Sequence, residues 1–86
     1  MNVVIYTKQN CSYCTNAKAL MASKNIGYTE MKLDEDFTRD FIVETFPSAK
    51  TFPIIVVDGF NIGGYQEFQK MLTEQTQDSK KLLNEG

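Results

Sequence analysis

The sequence predicts an α/β domain in which a four-stranded mixed sheet carries helices on its faces, in the order β-α-β-α-β-β-α. Three observations predict it. A β-branched strand, an amphipathic helix and a second strand follow one another between Asn2 and Leu33, which implies a right-handed parallel unit. The dipeptide Asp58-Gly59 between two apolar segments marks a hairpin, so an antiparallel pair joins the same sheet. Gly63-Gly64 then breaks the chain ahead of a last helix near Tyr65.

Each element has its own signal. Asn2–Thr7 (NVVIYT) is β-branched and aromatic, as a buried strand should be. After the polar loop Lys8–Asn10, a helix runs from about Ser12 to Asn25, with Cys14, Ala17 and Met21 on one face and Leu20 beside it. Gly27 closes that helix. Tyr28–Leu33 alternates like a strand. Asp36 caps a second helix through about Phe46, with Phe37, Phe41, Ile42 and Phe46 as its apolar stripe, and Pro47-Ser48 ends it. Pro53–Val57 is a continuous apolar run that reads as a central strand, and Phe60–Ile62 is its return strand. The last helix packs through Phe68, Met71 and Leu72; from Thr73 the chain turns polar, with Leu82-Leu83 its one apolar pair.

Composition narrows the function. The chain has 86 residues, enough for a single domain over 1–86. Nine basic and eleven acidic residues give a formal charge of −2 with no basic block, which argues against a nucleic-acid footprint. Its longest apolar runs, such as Ile54–Val57, are too short to span a bilayer. The start MNVVIYT lacks the pattern of a secretory leader, so a reducing, cytoplasmic compartment is expected. There is no histidine, which removes the commonest general base and the commonest metal ligand.

What remains is sulfur. Cys11 and Cys14, separated by two residues, sit where the first strand's loop meets the first helix, and a CxxC pair in a β-α-β setting is a redox signal. A thiol at a helix N-terminus faces unpaired backbone N–H groups and the positive end of the dipole, and both favour thiolate. Cys11 is then the nucleophile, and Cys14, a turn further in, the resolving thiol. Lys8 adds positive charge nearby, and Ser12 stands at the first turn. Other readings stay open: a structural disulfide closing a small loop, two inert core cysteines, or a zinc site, for which one CxxC supplies only half the ligands.

Three pieces, VVIYTKQNCSYC, TFP at Thr51–Pro53 and GGYQEF at Gly63–Phe68, occur in the spacing and order of a known family from about Val3 to Leu72. In them the chain resembles the glutaredoxins, which have the thioredoxin fold. The resemblance implies a glutathione-dependent dithiol–disulfide oxidoreductase that holds no bound cofactor and uses glutathione as reductant. Cys11 would attack protein disulfides and glutathione mixed disulfides. The Phe52–Pro53 bond would be cis, presenting the Phe52 backbone to glutathione, with Thr51 beside it. Lys8 and Arg39 would meet the glycyl carboxylate. Backbone N–H groups at Gly64, Tyr65 and Gln66 would take the γ-glutamyl carboxylate, Glu67 the ammonium, and Tyr13 would line the groove. The implied partners of the monomeric protein are glutathione and disulfide-bearing clients, ribonucleotide reductase being a common one in the family.

The chain departs from the family pattern in places. CSYC replaces the usual CPYC, Phe52 stands where valine is usual, and Glu67 where aspartate is usual. Some CSYC relatives hold a [2Fe–2S] cluster at a dimer interface with two glutathiones, which gives an alternative reading as a cluster carrier. No residue of this chain is assigned as a metal ligand.

Overall fold

The computed structural model describes residues 1–73; the predicted tail beyond them, with Leu82-Leu83, lies outside the described residues. The elements are β1 (Val3–Thr7), α1 (Ser12–Ser23), β2 (Tyr28–Lys32), α2 (Arg39–Thr45), β3 (Ile54–Val57), β4 (Phe60–Gly63) and a helix over 65–73, α3. The sheet order is β2-β1-β3-β4. β1 pairs with β2 in parallel and with β3 antiparallel, and β3 and β4 form the hairpin. Asp58 and Gly59 both take positive φ, 52° and 87°, as a tight turn between twisted strands requires.

Strand alternation sorts the core into two layers. Val3 and Ile5 of β1 face α1 and α3, packing with Ala17, Met21, Ile55 and Phe68. Tyr6 and Ile54 face the opposite side, where Phe37, Ile42, Phe46 and Phe52 gather. Burying those aliphatic and aromatic side chains supplies most of the drive to fold, at about 25 cal/mol per Å² of apolar surface.

The strand ends fall within one residue of expectation, and two helix ends differ, each for a local reason. α1 ends at Ser23, and Asn25, not Gly27, takes the left-handed position at φ 57°. The Ile26 N–H then reaches the Met21 carbonyl (2.9 Å) and the Asn25 N–H that of Ala22 (3.2 Å), which is the Schellman pattern, with Ile26 packing on the core. The cap of α2 is Thr38, whose hydroxyl accepts from the Phe41 N–H at 3.2 Å, and not Asp36. The Asp36 carboxylate is already engaged by the Lys32 N–H (2.8 Å) in the turn after β2. Phe37 therefore lies ahead of the helix, bridged to Leu33. Of the predicted α2 stripe, Phe37 and Ile42 are buried, Phe46 is partly buried as the C-cap, and Phe41 is left exposed at the edge of the aromatic cluster.

Candidate active site

The loop after β1 turns at Asn10 (φ 55°) and delivers Cys11 to the N-cap of α1 in extended backbone. Its Sγ accepts a hydrogen bond from the Cys14 N–H at 3.1 Å, doing what a Ser, Thr or Asp oxygen usually does there. The Cys11 carbonyl accepts from the Thr15 N–H (3.2 Å) and the Thr15 hydroxyl (3.3 Å), which seats the residue on the first turn. That turn holds no acidic side chain, so the positive helix end faces the sulfur unopposed. Cys11 and Cys14 are joined as a disulfide, their Cα atoms 5.2 Å apart. Cys14 is 2% exposed and Cys11 half-buried, so a nucleophile from solvent meets the Cys11 sulfur first.

On one side of the pair lies a groove of about 210 Å³. It is lined by Tyr13 of α1, by Thr51, Phe52 and Pro53 leading into β3, and by Gly64, Tyr65, Gln66 and Glu67 at the start of α3. The Phe52–Pro53 bond is cis. The Tyr13 and Tyr65 rings stand 6.0 Å apart. Lys8 lines the cleft that contains both cysteines and sets its Nζ 5.9 Å from the Phe52 ring centroid, within cation–π range. Arg39 is exposed on the first turn of α2 and is not brought into the groove.

The start of α3 differs from expectation in one respect. The Gly64 N–H donates to Glu67 Oε1 at 2.7 Å, so that amide is already satisfied by the chain's own carboxylate. This is the reach-back half of a capping box. The pattern Gly-x-x-Glu from Gly64 to Glu67 carries that signal in the sequence. Of the paired glycines only Gly63 needs positive φ, at 112°; a Cβ on it would come within 2.8 Å of Glu67 Cγ. Gly64 permits close approach instead, since a Cβ there would sit 3.3 Å from the Pro53 carbonyl.

Sequence reading also missed a polar cluster on the far side of the cysteines. Glu30 of β2 accepts from Lys18 Nζ of α1 (3.0 Å) and from the buried Thr7 hydroxyl of β1 (2.8 Å). Burial pushes the Glu30 carboxyl up, but the Thr7 and Lys18 hydrogen bonds and the charges of Lys18 and Lys32 outweigh it, leaving the group below its ordinary value. The Cys14–Lys18 spacing of one helical turn was the available signal; the partner on β2 follows only from the register that places Ile5 beside Glu30. Among the described residues no three His, Cys, Asp or Glu side chains gather as a metal site.

A family model described as Glutaredoxin matches residues 3–62. The chain belongs to the glutaredoxin family. Glutaredoxin 3 of Escherichia coli (strain K12) is 38% identical over 63 residues, covering 73% of this chain and 76% of that protein. The crystal structure of Glutaredoxin 1 from Francisella tularensis complexed with cacodylate superposes with a TM-score of 0.70 at 28% identity, covering 96% of each chain. The fold is also that of the buckwheat glutaredoxin–glutathione complex (TM-score 0.68, 23% identity, 91% of this chain and 70% of that one). As a glutaredoxin, the chain is a thiol–disulfide oxidoreductase with the thioredoxin fold, and its cysteine pair forms the disulfide such chemistry needs.

Proposed function

We propose that this glutaredoxin reduces protein disulfides and glutathione mixed disulfides with glutathione as its reductant, Cys11 acting as nucleophile and Cys14 as resolving thiol. One observation carries the assignment of roles. The Cys11 sulfur is the open N-cap of α1 and accepts from the Cys14 N–H, whereas Cys14 is buried. In the dithiol the same amide and the helix dipole favour a thiolate on Cys11. That thiolate attacks a client disulfide, expelling one client thiolate, or attacks the glutathione sulfur of a mixed disulfide, expelling the client thiolate and leaving glutathione on Cys11. Cys14, three residues on, then displaces the second half of a protein disulfide, or a second glutathione frees Cys11.

The groove supports glutathione as the partner. Glutathione carries two carboxylates and an ammonium, so its site needs both signs of charge. Lys8, set beside Phe52, serves the glycyl carboxylate. The first-turn amides of Tyr65 and Gln66 have no acceptor within their own helix and serve the γ-glutamyl carboxylate. Glu67, fixed through Oε1 on Gly64, turns its second oxygen to the ammonium. Thr51 and the Phe52 backbone flank the peptide. The reading takes the protein as a monomer in a reducing cytoplasm with disulfide-bearing clients, ribonucleotide reductase among them.

The deciding experiment couples disulfide reduction to glutathione and, in parallel, to a thioredoxin-type reductase. Cys11→Ser is expected to abolish all thiol transfer, while Cys14→Ser keeps deglutathionylation and loses protein-disulfide reduction. Equal loss in both variants overturns the assignment of roles; turnover only with the reductase overturns glutathione as donor.

A further inference from the structure

Thr7, Lys18 and Glu30 have no part in the chemistry above, yet they stand on the side of the buried sulfur away from the groove. Lys18 follows Cys14 by one turn of α1, so the two share a face. Side chains on a helix lean toward its N-terminus, which aims Lys18 back at the Cys14 turn. Cys14, Thr7 and Lys18 line one open cleft of about 430 Å³. Thr7 and Lys18 also line the adjoining cleft with Glu30. Glu30 takes hydrogen bonds from both, and Thr7, at 2% exposure, anchors it from β1. Lys18 is therefore held at two levels, by an ion pair and by the hydroxyl that fixes its partner.

We propose that Lys18, positioned by Glu30 and Thr7, supplies the positive charge that offsets the Cys14 thiolate each time the disulfide opens or closes. The inference rests on the roles given to the two cysteines. When an incoming thiolate bonds to Cys11 Sγ, the Cys11–Cys14 bond breaks and its electron pair stays on Cys14. A buried anion is costly unless a cation or hydrogen bonds accompany it. Lys18 lowers that cost, and a proton then reaches the sulfur from water in the open cleft. In the reverse direction Cys14 gives that proton to water, attacks Cys11 Sγ and expels the client's thiolate. Electrons move only between dithiol and disulfide. Glu30 and Thr7 are positioning residues, and Glu30 also holds down the field of Lys18 with its own negative charge. Among the described residues, the other charged or titratable groups around Cys14 are Cys11 and Lys8 in the same cleft, Lys32 and Glu35 in the adjoining one, and Tyr13, Tyr65 and Glu67 across the groove.

The test reads the ionisation of Cys14 directly. With two cysteines in the chain, Cys11→Ser leaves Cys14 as the sole thiol, and its thiolate is followed by ultraviolet absorbance against pH, with the doubly substituted protein as blank. Lys18→Met is expected to raise the midpoint by about one pH unit. Glu30→Gln, which keeps an amide oxygen to hold Lys18 but removes the opposing negative charge, is expected to lower it, and Lys18→Arg to restore the parent value. In the chain with both cysteines, Lys18→Met should slow closure of a Cys11 mixed disulfide about tenfold at neutral pH. Shifts of the same sign for Lys18→Met and Glu30→Gln, or no shift, overturn the inference, because a purely structural role would not give opposite signs. The Cys14 titration is measured without thiol transfer, so failure of Cys11 to transfer thiols would overturn the functional reading alone.

Discussion

α1 and α3 both begin beside the groove, and their first turns are satisfied by different chemistry. At α3 the Gly64 N–H is closed by the Glu67 carboxylate, a full negative charge supplied by the helix itself. At α1 the Cys14 N–H is closed by a sulfur, and no acidic residue stands in the first turn. The positive end of α3 is thus partly neutralised from within, while that of α1 is left for whatever charge Cys11 carries. α2 shows the ordinary solution, a threonine hydroxyl on a backbone amide away from the groove. The difference teaches that a reactive helix start is made as much by leaving out a carboxylate as by placing a thiol.

Three substitutions test this contrast, in descending order of effect. Gly63→Ala should cost about 2 kcal/mol of stability in thermal unfolding, since it forces a Cβ into positive φ. It should also weaken glutathione affinity by displacing Glu67 from Gly64. An unchanged affinity would show that Glu67 is only a cap. Ser12→Asp gives α1 the carboxylate it lacks. It should slow alkylation of reduced Cys11 in mildly acid buffer about tenfold, even as the helix gains stability. No change there would mean that the open first turn does not set the state of the sulfur. Thr38→Ala, at a conventional cap, should cost about 1 kcal/mol. Its thiol-transfer rate should match the parent's, and a loss of rate would show α2 coupled to the site.

Much of this was legible from residue order. The strand and helix sequence, the Asp58-Gly59 hairpin and the face formed by Cys14, Ala17 and Met21 rest on short-range periodicity and turn chemistry, which one sequence displays directly. The misses have one physical type. Asp36 and Gly27 are good terminators, but each had a competitor two residues away whose success depended on tertiary contacts: Thr38 once Asp36 was engaged by Lys32, and Asn25 once Ile26 found the core. Arg39, placed at the site by the family resemblance, stands exposed on the first turn of α2 and is not among the residues that line the groove. The Thr7–Glu30–Lys18 cluster joins three elements, so no local pattern contains it.

Under the roles proposed for the two cysteines, the atom that reacts is also the one that closes the first turn of α1, so covalent intermediates on Cys11 do not hang from a free side chain. Each bond made or broken at that sulfur changes the acceptor offered to the Cys14 amide, and the end of a secondary-structure element is rewritten with every catalytic cycle.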